Sequence, residues 1–529
     1  MPAFGIDSRA AAAANRSGER IMTGHRARPA PRLHLLAASL ASVFALTQTS
    51  AAAGAALAGN DLPSAMNAST LRAHGGLIGS LAAPRSTGTK AAPAASVMVS
   101  SSVTSCADDG GSDTLRFAVL TANPGDTISL SGLDCSKITL QSPITVLLDD
   151  LTIEGPGPDK LTIDGNATDR VFLHTGKGTF GLTDITVANG KITGDQAFGG
   201  CIYSKANVSL KHAIITSCQA IGESQAFGGG LTVYGTLTAD ASTISNNLAE
   251  TTVGTTKSLV AAGGGAFANT LSLQHTIVTG NTAHALLGSA SGGGVIGYSV
   301  STKYSTISGN DAIAIGDVDN YSVAGGIASS GSLVMVGSTL DHNEADLVGG
   351  AFTSSTSGFT TILQSTISSN SGRLSGGGFA AAGPLSIGSS TIAFNTGGKF
   401  GGAGGVNAGG PTAVLQSTII ADNSPNDLDG SAALSGANNI VKIVGASVTM
   451  LPPMTLSLDP KLGPLAYNGG ATRTHAPSAG SPAIDSGNNA GNVPVDQRGA
   501  TYARVVGFAA DIGSVEIDDD HIFGNLFDG

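Results

Sequence analysis

The sequence has no tryptophan, and aromatic and charged side chains are scarce. Of its 529 residues, 4% are aromatic and 12% are charged, whereas 75 are glycine. A helical globular enzyme carries more lysine, glutamate and aromatic residues than this. The composition therefore argues against a compact helical fold. The chain is also too long for one ordinary domain, unless it is built from repeats that contact only their neighbours.

Long apolar runs are equally scarce, and none, including the one in the N-terminal segment, is long enough to span a membrane as a helix. In that segment three arginines at 26–32 precede an apolar stretch at 35–46 and a group of small residues. This pattern is typical of a signal peptide. We predict that residues 1–53 are a signal peptide and that the protein is exported to the cell exterior or outer surface. Met22 gives a more usual signal length and is an alternative start.

The predicted mature chain has an excess of acidic residues. The whole sequence has 26 basic and 37 acidic side chains, and 1–53 holds six of the former and two of the latter, which leaves 20 and 35, a formal charge of −15. Such a charge disfavours nucleic acid and anionic membranes as partners. Residues 54–96 are rich in Ala, Ser, Gly and Pro, and we predict that they form a flexible linker.

Cysteine is limited to four residues. Four cysteines in an exported chain predict two disulfides. The pairing of sequence neighbours joins Cys106 to Cys135 and Cys201 to Cys218, and two other connectivities are open. A metal site is the alternative, but no CxxC motif and no histidine at ligand spacing supports it.

One short phrase, an aliphatic residue followed by two variable residues and an asparagine, recurs eight times between residues 201 and 424, with a cysteine in place of the asparagine in the first copy. Its copies are 25 to 34 residues apart, and a fixed period of this kind indicates a stack of similar units. The asparagines are Asn247, Asn281, Asn310, Asn343, Asn370, Asn395 and Asn423, and Cys218 takes the same place in the first copy. We call these eight sites the ladder positions.

Each repeat predicts three short strands separated by bends. The residues three, eight and ten before a ladder position are nearly all apolar, and the residue five before it is always small, which favours a tight bend. Glycine pairs followed by an apolar residue open each repeat, as in 199–202 and 264–267, and glycine suits such corners. There is no room for a crossover helix. We therefore predict an all-β fold, a right-handed parallel β-helix.

In a β-helix the ladder asparagines would stack as a column of amides at an inside corner. The alternative is a set of N-glycosylation sites or surface turns. The regular aliphatic residue three positions earlier disfavours that alternative. At the ends of the stack, exposed strand edges need a cap. The segment 112–123 has apolar residues at Leu115, Val119 and Leu120 and is predicted to form a short amphipathic helix over the first coil.

Two segments resemble known modules of bacterial surface proteins. Residues 106–130 resemble the CSLREA-type N-terminal module, with departures at Phe117 and Val119. The C-terminal region resembles the choice-of-anchor Q domain, with departures at Ala471 and at 514–515. The matching residues of that region are 459–465, 468–470, 472–475, 480–485, 496–499 and 511–513. The resemblance implies an exported or surface-attached right-handed β-helix and implies no particular reaction.

The predicted organisation follows from these features. Residues 97–190 form the N-terminal cap and first coils, 191–455 the regular coils, and 456–517 a choice-of-anchor Q-like C-terminal cap. Residues 518–529 are a tail.

No set of catalytic residues and no cofactor-binding motif is recognisable in the sequence. A polar stripe of Lys211, Asp240, Gln274 and Lys303, seven residues before successive ladder positions, is interpreted as a solvated face. Calcium is the one cofactor that the aspartates suit, through oxygen ligands in two loops. These are Asp317, Asp319 and Asn320, and Asp422, Asp427 and Asp429; turn formation is the preferred interpretation of both.

The sequence favours an adhesion or ligand-binding rod whose partners are glycans or other cell-surface molecules. The insertions 250–261 and 311–323 would contribute contacts, since such loops project from one side of a solenoid. A polysaccharide lyase or hydrolase is the first alternative, and a structural surface protein without a ligand is the second. An enzyme would require three or more ionisable side chains that converge on neighbouring coils.

Overall fold

The computed structural model describes residues 103–252, 259–315, 321–373, 376–398 and 402–518. The predicted signal peptide, the linker and residues 519–529 lie outside these ranges, as do parts of both predicted insertions. Within them the protein is a parallel β-solenoid with one helix, α1 (Leu115–Thr121), and every pairing between its named strands is parallel. None of the described helices is long and apolar enough to cross a membrane.

The first sheet contains the glycine-led start of each coil, and its outward and inward residues alternate. It has 19 strands in the described residues. They are Thr127–Ser129, Ile144–Val146, Leu151–Glu154, Phe172–His174, Thr179–Thr183, Ile202–Ser204, Asn207–Lys211, Leu231–Asp240, Ala266–Gln274, Val295–Lys303, Ile327–Val336, Ala351–Thr353, Thr360–Leu363, Phe379–Ala381, Leu385–Gly388, Val406–Ala408, Thr412–Gln416, Leu428–Asp429 and Ala433–Ala437.

The second sheet lies just before the ladder positions, and the central residue of nearly every strand is aliphatic. It has 13 strands in the described residues. They are Lys137–Thr139, Thr162–Asp164, Thr186–Ala188, Ile214–Thr216, Thr243–Ser245, Ile277–Thr279, Thr306–Ser308, Thr339–Asp341, Thr366–Ser368, Thr391–Ala393, Ile419–Ala421, Asn439–Val441 and Thr455–Leu456.

The third sheet follows the ladder positions and is confined to the middle of the chain. It has 10 strands in the described residues. They are Lys191–Phe198, Gln219–Phe227, Leu248–Thr251, Leu259–Ala262, Thr282–Ala285, Gly288–Ser291, Asp311–Ala314, Ser322–Val323, Glu344–Ala345 and Ser371–Gly372.

The predicted inward columns form one continuous core. The aliphatic residues three before the ladder positions are all 0% exposed: Ile215, Ile244, Val278, Ile307, Leu340, Ile367, Ile392 and Ile420. The columns eight and ten before the ladder are also buried, at 3% exposure or less. Burying each such side chain contributes about 1.5–3 kcal/mol. Register fixes the stack, since Ile244 lies between Ile215 and Val278 on adjacent strands.

The bends differ in one detail from the sequence prediction. The residue six before each ladder position, not the small residue five before it, has a left-handed backbone, with φ from +46° to +59°. The residue directly before each ladder position is left-handed as well, with φ from +54° to +64°. These two corners turn the chain into and out of the second sheet.

The third sheet has its own two small cores. In the coil after Asn247, Ala261 belongs to a cluster of buried alanines, whereas Val260 and Ala262 pack with aromatic residues. Because neighbours along a strand face opposite sides, this strand is buried on both faces. The aromatic cluster includes Phe227 and Phe267, whose rings stack at 5.2 Å. The part of the coil that follows the ladder position therefore has apolar packing of its own, on both faces of the third sheet.

The N-terminal helix forms where the sequence predicts it, but its apolar face differs. Leu115, Ala118 and Val119 are buried in the main core, whereas Leu120 is 75% exposed. Leu120 was therefore wrongly assigned to the buried face. Arg116 holds the helix in place through Asp108, at 2.7 Å, and through the carbonyl oxygens of residues 142 and 143.

The C-terminal segment, residues 457–518, packs along the side of the solenoid. It covers the outer face of the second sheet from strand Thr306–Ser308 onwards, through contacts such as Arg473 to Ser308 and Ser514 to Thr391. From Thr339–Asp341 to Asn439–Val441 every residue of these strands is buried, whereas strands such as Lys137–Thr139 expose their outward side chains. Covering the side of the solenoid differs from capping the strand edges at its end. The predicted C-terminal cap of residues 456–517 therefore stays a prediction.

Candidate functional site at the ladder corner

The seven ladder asparagines form one buried, hydrogen-bonded column, each 5% exposed or less. The Oδ1 of Asn310 accepts hydrogen bonds from the backbone N–H of Asn281, at 3.1 Å, and from its Nδ2, at 2.9 Å. The Nδ2 of Asn310 donates to Asn343 and to the carbonyl of Val278 in the preceding coil. The amide thus joins three coils, which requires both a donor and an acceptor.

Different residues occupy the two ends of this column. At the start, the backbone N–H of Cys218 donates to Asn247 Oδ1 at 3.0 Å. At the other end, Asp427 Oδ1 accepts from the N–H and Nδ2 of Asn423, both at 2.9 Å. Burial raises the pKa of Asp427, while hydrogen bonds from Asn423 and Ile443 act in the opposite direction.

The four cysteines form the two pairs of sequence neighbours. Cys106 and Cys135 are joined with a Cα–Cα distance of 6.3 Å, and Cys201 and Cys218 with one of 5.4 Å. The second disulfide links the glycine-led strand of a coil to the ladder position of the same coil. The described residues include no free cysteine.

A second column of hydrogen bonds runs beside the first, and sequence reasoning missed it. The five serines among the residues five before the ladder accept hydrogen bonds from the backbone of the previous coil. For example, Ser305 N–H donates to Ser338 Oγ, and Ser338 N–H donates to Ser365 Oγ, both at 3.2 Å. The signal is present in the sequence, since seven of these eight residues are serine or threonine. The sequence prediction used their small size and not their hydroxyl groups.

A polar depression lies on the outside of the ladder corner, between the second and third sheets. Its volume is about 460 Å³, within the usual range of ligand sites. Amide, hydroxyl and charged side chains make up most of its wall. The polar residues of the wall are Asp164, Asn166, Asn189, Lys191, Ser217, Gln219 and Asn246. We call it the corner depression.

Asp164 organises one wall of the corner depression, although it is only 6% exposed. Its Oδ2 accepts from Asn189 Nδ2 at 3.1 Å and pairs with Lys137 at 3.3 Å. Its Oδ1 accepts from the backbone N–H of Asn166 at 2.7 Å. These contacts hold the amide of Asn189 at the rim, while Asn246 and Ser217 are exposed at the same corner of the next coils.

A cluster of ionisable side chains lies further along the third sheet, one and three residues after the ladder positions. His284 pairs with Glu250 at 3.0 Å, and Arg373 pairs with Asp346 at 2.7 Å and with Glu344 at 3.7 Å. Asp311 stands in register beside Glu344 on the adjacent coil. We call these six residues the ionic cluster.

Asp311 is a half-buried member of the ionic cluster, beside Glu344 and near Arg373. Burial and the neighbouring negative charge of Glu344 raise its pKa, while the positive charge of Arg373 acts in the opposite direction. The signal for this cluster is present in the sequence, because ionisable residues recur one and three positions after the ladder asparagines. The strands that follow the ladder positions and form the third sheet were not predicted from the sequence, so their side chains were not compared between coils.

The polar stripe that the sequence singled out lies elsewhere, on the first sheet. Lys211, Asp240, Gln274 and Lys303 are aligned on successive strands. The only ion pair that any of them forms within the described ranges joins Asp240 to His275. The stripe and the ionic cluster occupy different sheets of the coil, so they do not form one site.

Calcium was the alternative interpretation of two aspartate loops. In the part of the chain that the structure describes, no group of three or more His, Cys, Asp or Glu side chains is placed to hold a metal ion. Asp422 pairs with Lys442, Asp427 ends the ladder, and Asp429 accepts from backbone N–H groups at 430 and 447. Asp317, Asp319 and Asn320 lie outside the described residues, and calcium binding there stays a prediction.

The fold and its bonding define the class of the protein as a parallel β-solenoid with an internal amide ladder. No family model, no curated protein and no solved structure matches the chain. The comparisons therefore lend no support to the CSLREA-type or choice-of-anchor Q resemblance.

Proposed function

We propose that this protein is an exported β-helix rod at the cell exterior or surface, where it binds glycans or mediates adhesion. Two disulfides support an oxidising compartment, because thiols stay reduced in the cytosol. The N-terminal sequence pattern supports export. A right-handed coil follows from the general handedness of parallel crossovers.

The observation that carries the binding function is the corner depression. A rigid solenoid places its side chains at fixed intervals, and a depression walled by amides and hydroxyls suits a ligand rich in hydroxyl groups. Rigidity matters here, because a preorganised site loses little entropy on binding.

Two experiments test this proposal. Fractionation of native cells should find the mature protein outside the cytoplasm, with its N-terminus after residue 53. A glycan array probed with the purified, oxidised protein should show binding to a defined subset of glycans. Cytoplasmic localisation would reject export. An array without binding, together with self-association of the rods, would favour a structural surface protein.

The finer organisation is part of the same proposal. Helix α1 and the residues around Cys106 would act as a CSLREA-like N-terminal cap, which is supported by the burial of Leu115 and Val119 in the main core. Residues 456–517 would act as a choice-of-anchor Q-like region. Its lateral packing supports a role in protecting the second sheet.

A carbohydrate-active enzyme is the second candidate, and the ionic cluster is the observation that favours it. Asp311 and Glu344 are in register on neighbouring strands, which are about 4.8 Å apart. Paired carboxyl groups, one of them with a raised pKa, are the usual apparatus of glycoside hydrolysis. Release of reducing sugars from a polysaccharide panel, abolished by Asp311→Asn but not by Asp240→Asn, would establish this activity.

A further inference from the structure

Of the surfaces on this rod, the corner depression has the most definite chemistry for a ligand. The only charged residues in its wall are Asp164 and Lys191, whose formal charges cancel. Asp164 is engaged with Lys137 and Asn189, so Lys191 is the one charged side chain of the wall that is directed to a ligand. The predicted mature chain is acidic as a whole, so its long-range field repels polyanions. An uncharged ligand therefore fits this wall better than an acidic one.

The wall also suits a mainly apolar ligand less well than a polar one. Only Ala167 and Leu248 contribute apolar side chains to it, whereas sites for apolar ligands have predominantly hydrophobic walls. The side chains of Asn189, Gln219 and Asn246 each offer both a donor and an acceptor. A sugar ring presents the complementary pattern, because each hydroxyl group donates and accepts.

The length of the wall indicates more than one sugar ring. Asn189, Ser217 and Asn246 occupy the same corner of three successive coils, since the backbone N–H of each donates to the next coil at an equivalent place. Coils are about 4.8 Å apart, so these three side chains extend over roughly 10 Å along the rod. That is the scale of a short oligosaccharide that runs parallel to the solenoid axis.

We infer that the corner depression binds a segment of an uncharged polysaccharide along the coil axis, with Asn189, Gln219 and Asn246 bonded to successive hydroxyl groups. This inference rests on the proposed glycan-binding function and adds the site and the ligand class. The ammonium group of Lys191 donates a further hydrogen bond to a sugar hydroxyl group. The ligand lies outside the ladder, so binding leaves the buried amide column unchanged.

The test is isothermal titration of the full mature protein with neutral oligosaccharides (malto-, cello-, manno- and chito-oligosaccharides) and with oligogalacturonate as the acidic counterpart. The blocking variant is Ser217→Phe. Its backbone tolerates the change, because Phe394 stands directly before a ladder position with φ +59°, against +58° for Ser217. The added ring would fill the middle of the depression and should lower affinity about tenfold or more.

The matched control is Ala241→Phe. It adds the same ring at the other corner, where Tyr304 already stands at the equivalent position with a similar φ, and it should leave affinity unchanged. A second variant, Gln219→Leu, replaces one amide with an apolar side chain of similar size. Leu248 is its register partner in the next coil, so the strand accepts leucine. The expected loss is roughly fivefold, the equivalent of one neutral hydrogen bond.

The outcomes separate this inference from the proposed function. Neutral binding that Ser217→Phe weakens and Ala241→Phe preserves supports both. Neutral binding that Ser217→Phe leaves intact overturns the site but keeps the glycan-binding function. Binding of oligogalacturonate alone overturns the ligand class. Binding of no oligosaccharide at all overturns both. Circular dichroism and thermal unfolding of each variant establish that the coil has formed.

Discussion

At the scale of single residues, the ladder shows why asparagine recurs and why aspartate ends it. Inside the column a side chain must accept two hydrogen bonds from one neighbouring coil and donate to the other. Asparagine does both. Asp427 follows the last asparagine, where no further ladder position needs a donor, and its Oδ1 accepts both bonds from Asn423. An acceptor-only carboxylate therefore suits the end of the column.

Asn310→Ala should destabilise the solenoid by roughly 3 kcal/mol, because it leaves the N–H and Nδ2 of Asn281 and the Oδ1 of Asn343 without one partner each. Urea unfolding followed by circular dichroism measures this loss. Asn407→Ala is the matched control, since Asn407 is half-buried on the first sheet and outside the ladder. An equal effect of the two substitutions would contradict the special role of the column.

At the scale of elements, the disulfide between Cys201 and Cys218 closes a short loop within one coil. The two cysteines are 17 residues apart, and closing a loop of this size limits the freedom of the unfolded chain.

The double variant Cys201→Ala/Cys218→Ala should lose about 3 kcal/mol of stability. Guanidinium unfolding measures the change. Wild-type protein kept in reductant should lose at least as much, because both disulfides open. A variant as stable as the oxidised protein would show that the pair contributes nothing to the fold.

The C-terminal segment has an unusual buried charge cluster of its own. Arg504 is 1% exposed and Glu516 is 2% exposed, and they pair at 3.2 Å. Burial raises the pKa of Glu516 to about 7 and that of Asp511 to about 6. Both values lie above those of the unfolded chain, 4.5 and 3.8. The contribution of these groups to stability is therefore complete at low pH and declines as pH rises through 6 and 7.

The C-terminal segment should accordingly hold the second sheet more firmly at pH 5 than at pH 8. Resistance of residues 457–518 to limited proteolysis, at matched protease activity, measures this. Glu516→Gln should reduce the pH dependence, whatever it does to absolute stability, because it removes one of the two titrating groups. Resistance that increases with pH would refute the assignment.

At the scale of the whole molecule, the solenoid is one core shared by neighbouring coils. Each inward aliphatic residue packs between its equivalents above and below, so a defect in one coil is felt in the next. This arrangement differs from a chain of independent domains, in which a defect stays local.

Ile307→Asp should unfold the neighbouring coils together with its own, since Ile307 is fully buried and an unpaired buried carboxylate is costly. Thermal unfolding should shift strongly downwards, and hydrogen exchange should quicken at Val278 and Leu340, its partners in register. Ile277→Asp, at an outward-facing isoleucine of the preceding strand that is 45% exposed, is the control and should shift the transition little. Unchanged unfolding of Ile307→Asp would contradict the inward column.

The sequence by itself determined the coil, because every coil solves the same local problem with residues close together in the chain. Alternation along each strand, a small residue near one corner and an asparagine at the other recur at a readable period. The parallel solenoid and the buried aliphatic columns follow from that pattern. The left-handed corner residues did not, since His212, Tyr304 and Ser417 share a backbone conformation and no side-chain chemistry.

Only the tertiary structure decided what lies against the coils. The C-terminal segment reaches back over 131 residues for the bond between Gln497 and Thr366 and over 165 for that between Arg473 and Ser308. Such contacts have no period, because each is made once, between a repeated surface and a segment that does not repeat. The ionic cluster and the corner depression arise in the same way, since stacking joins side chains whose separation in the sequence conceals their proximity.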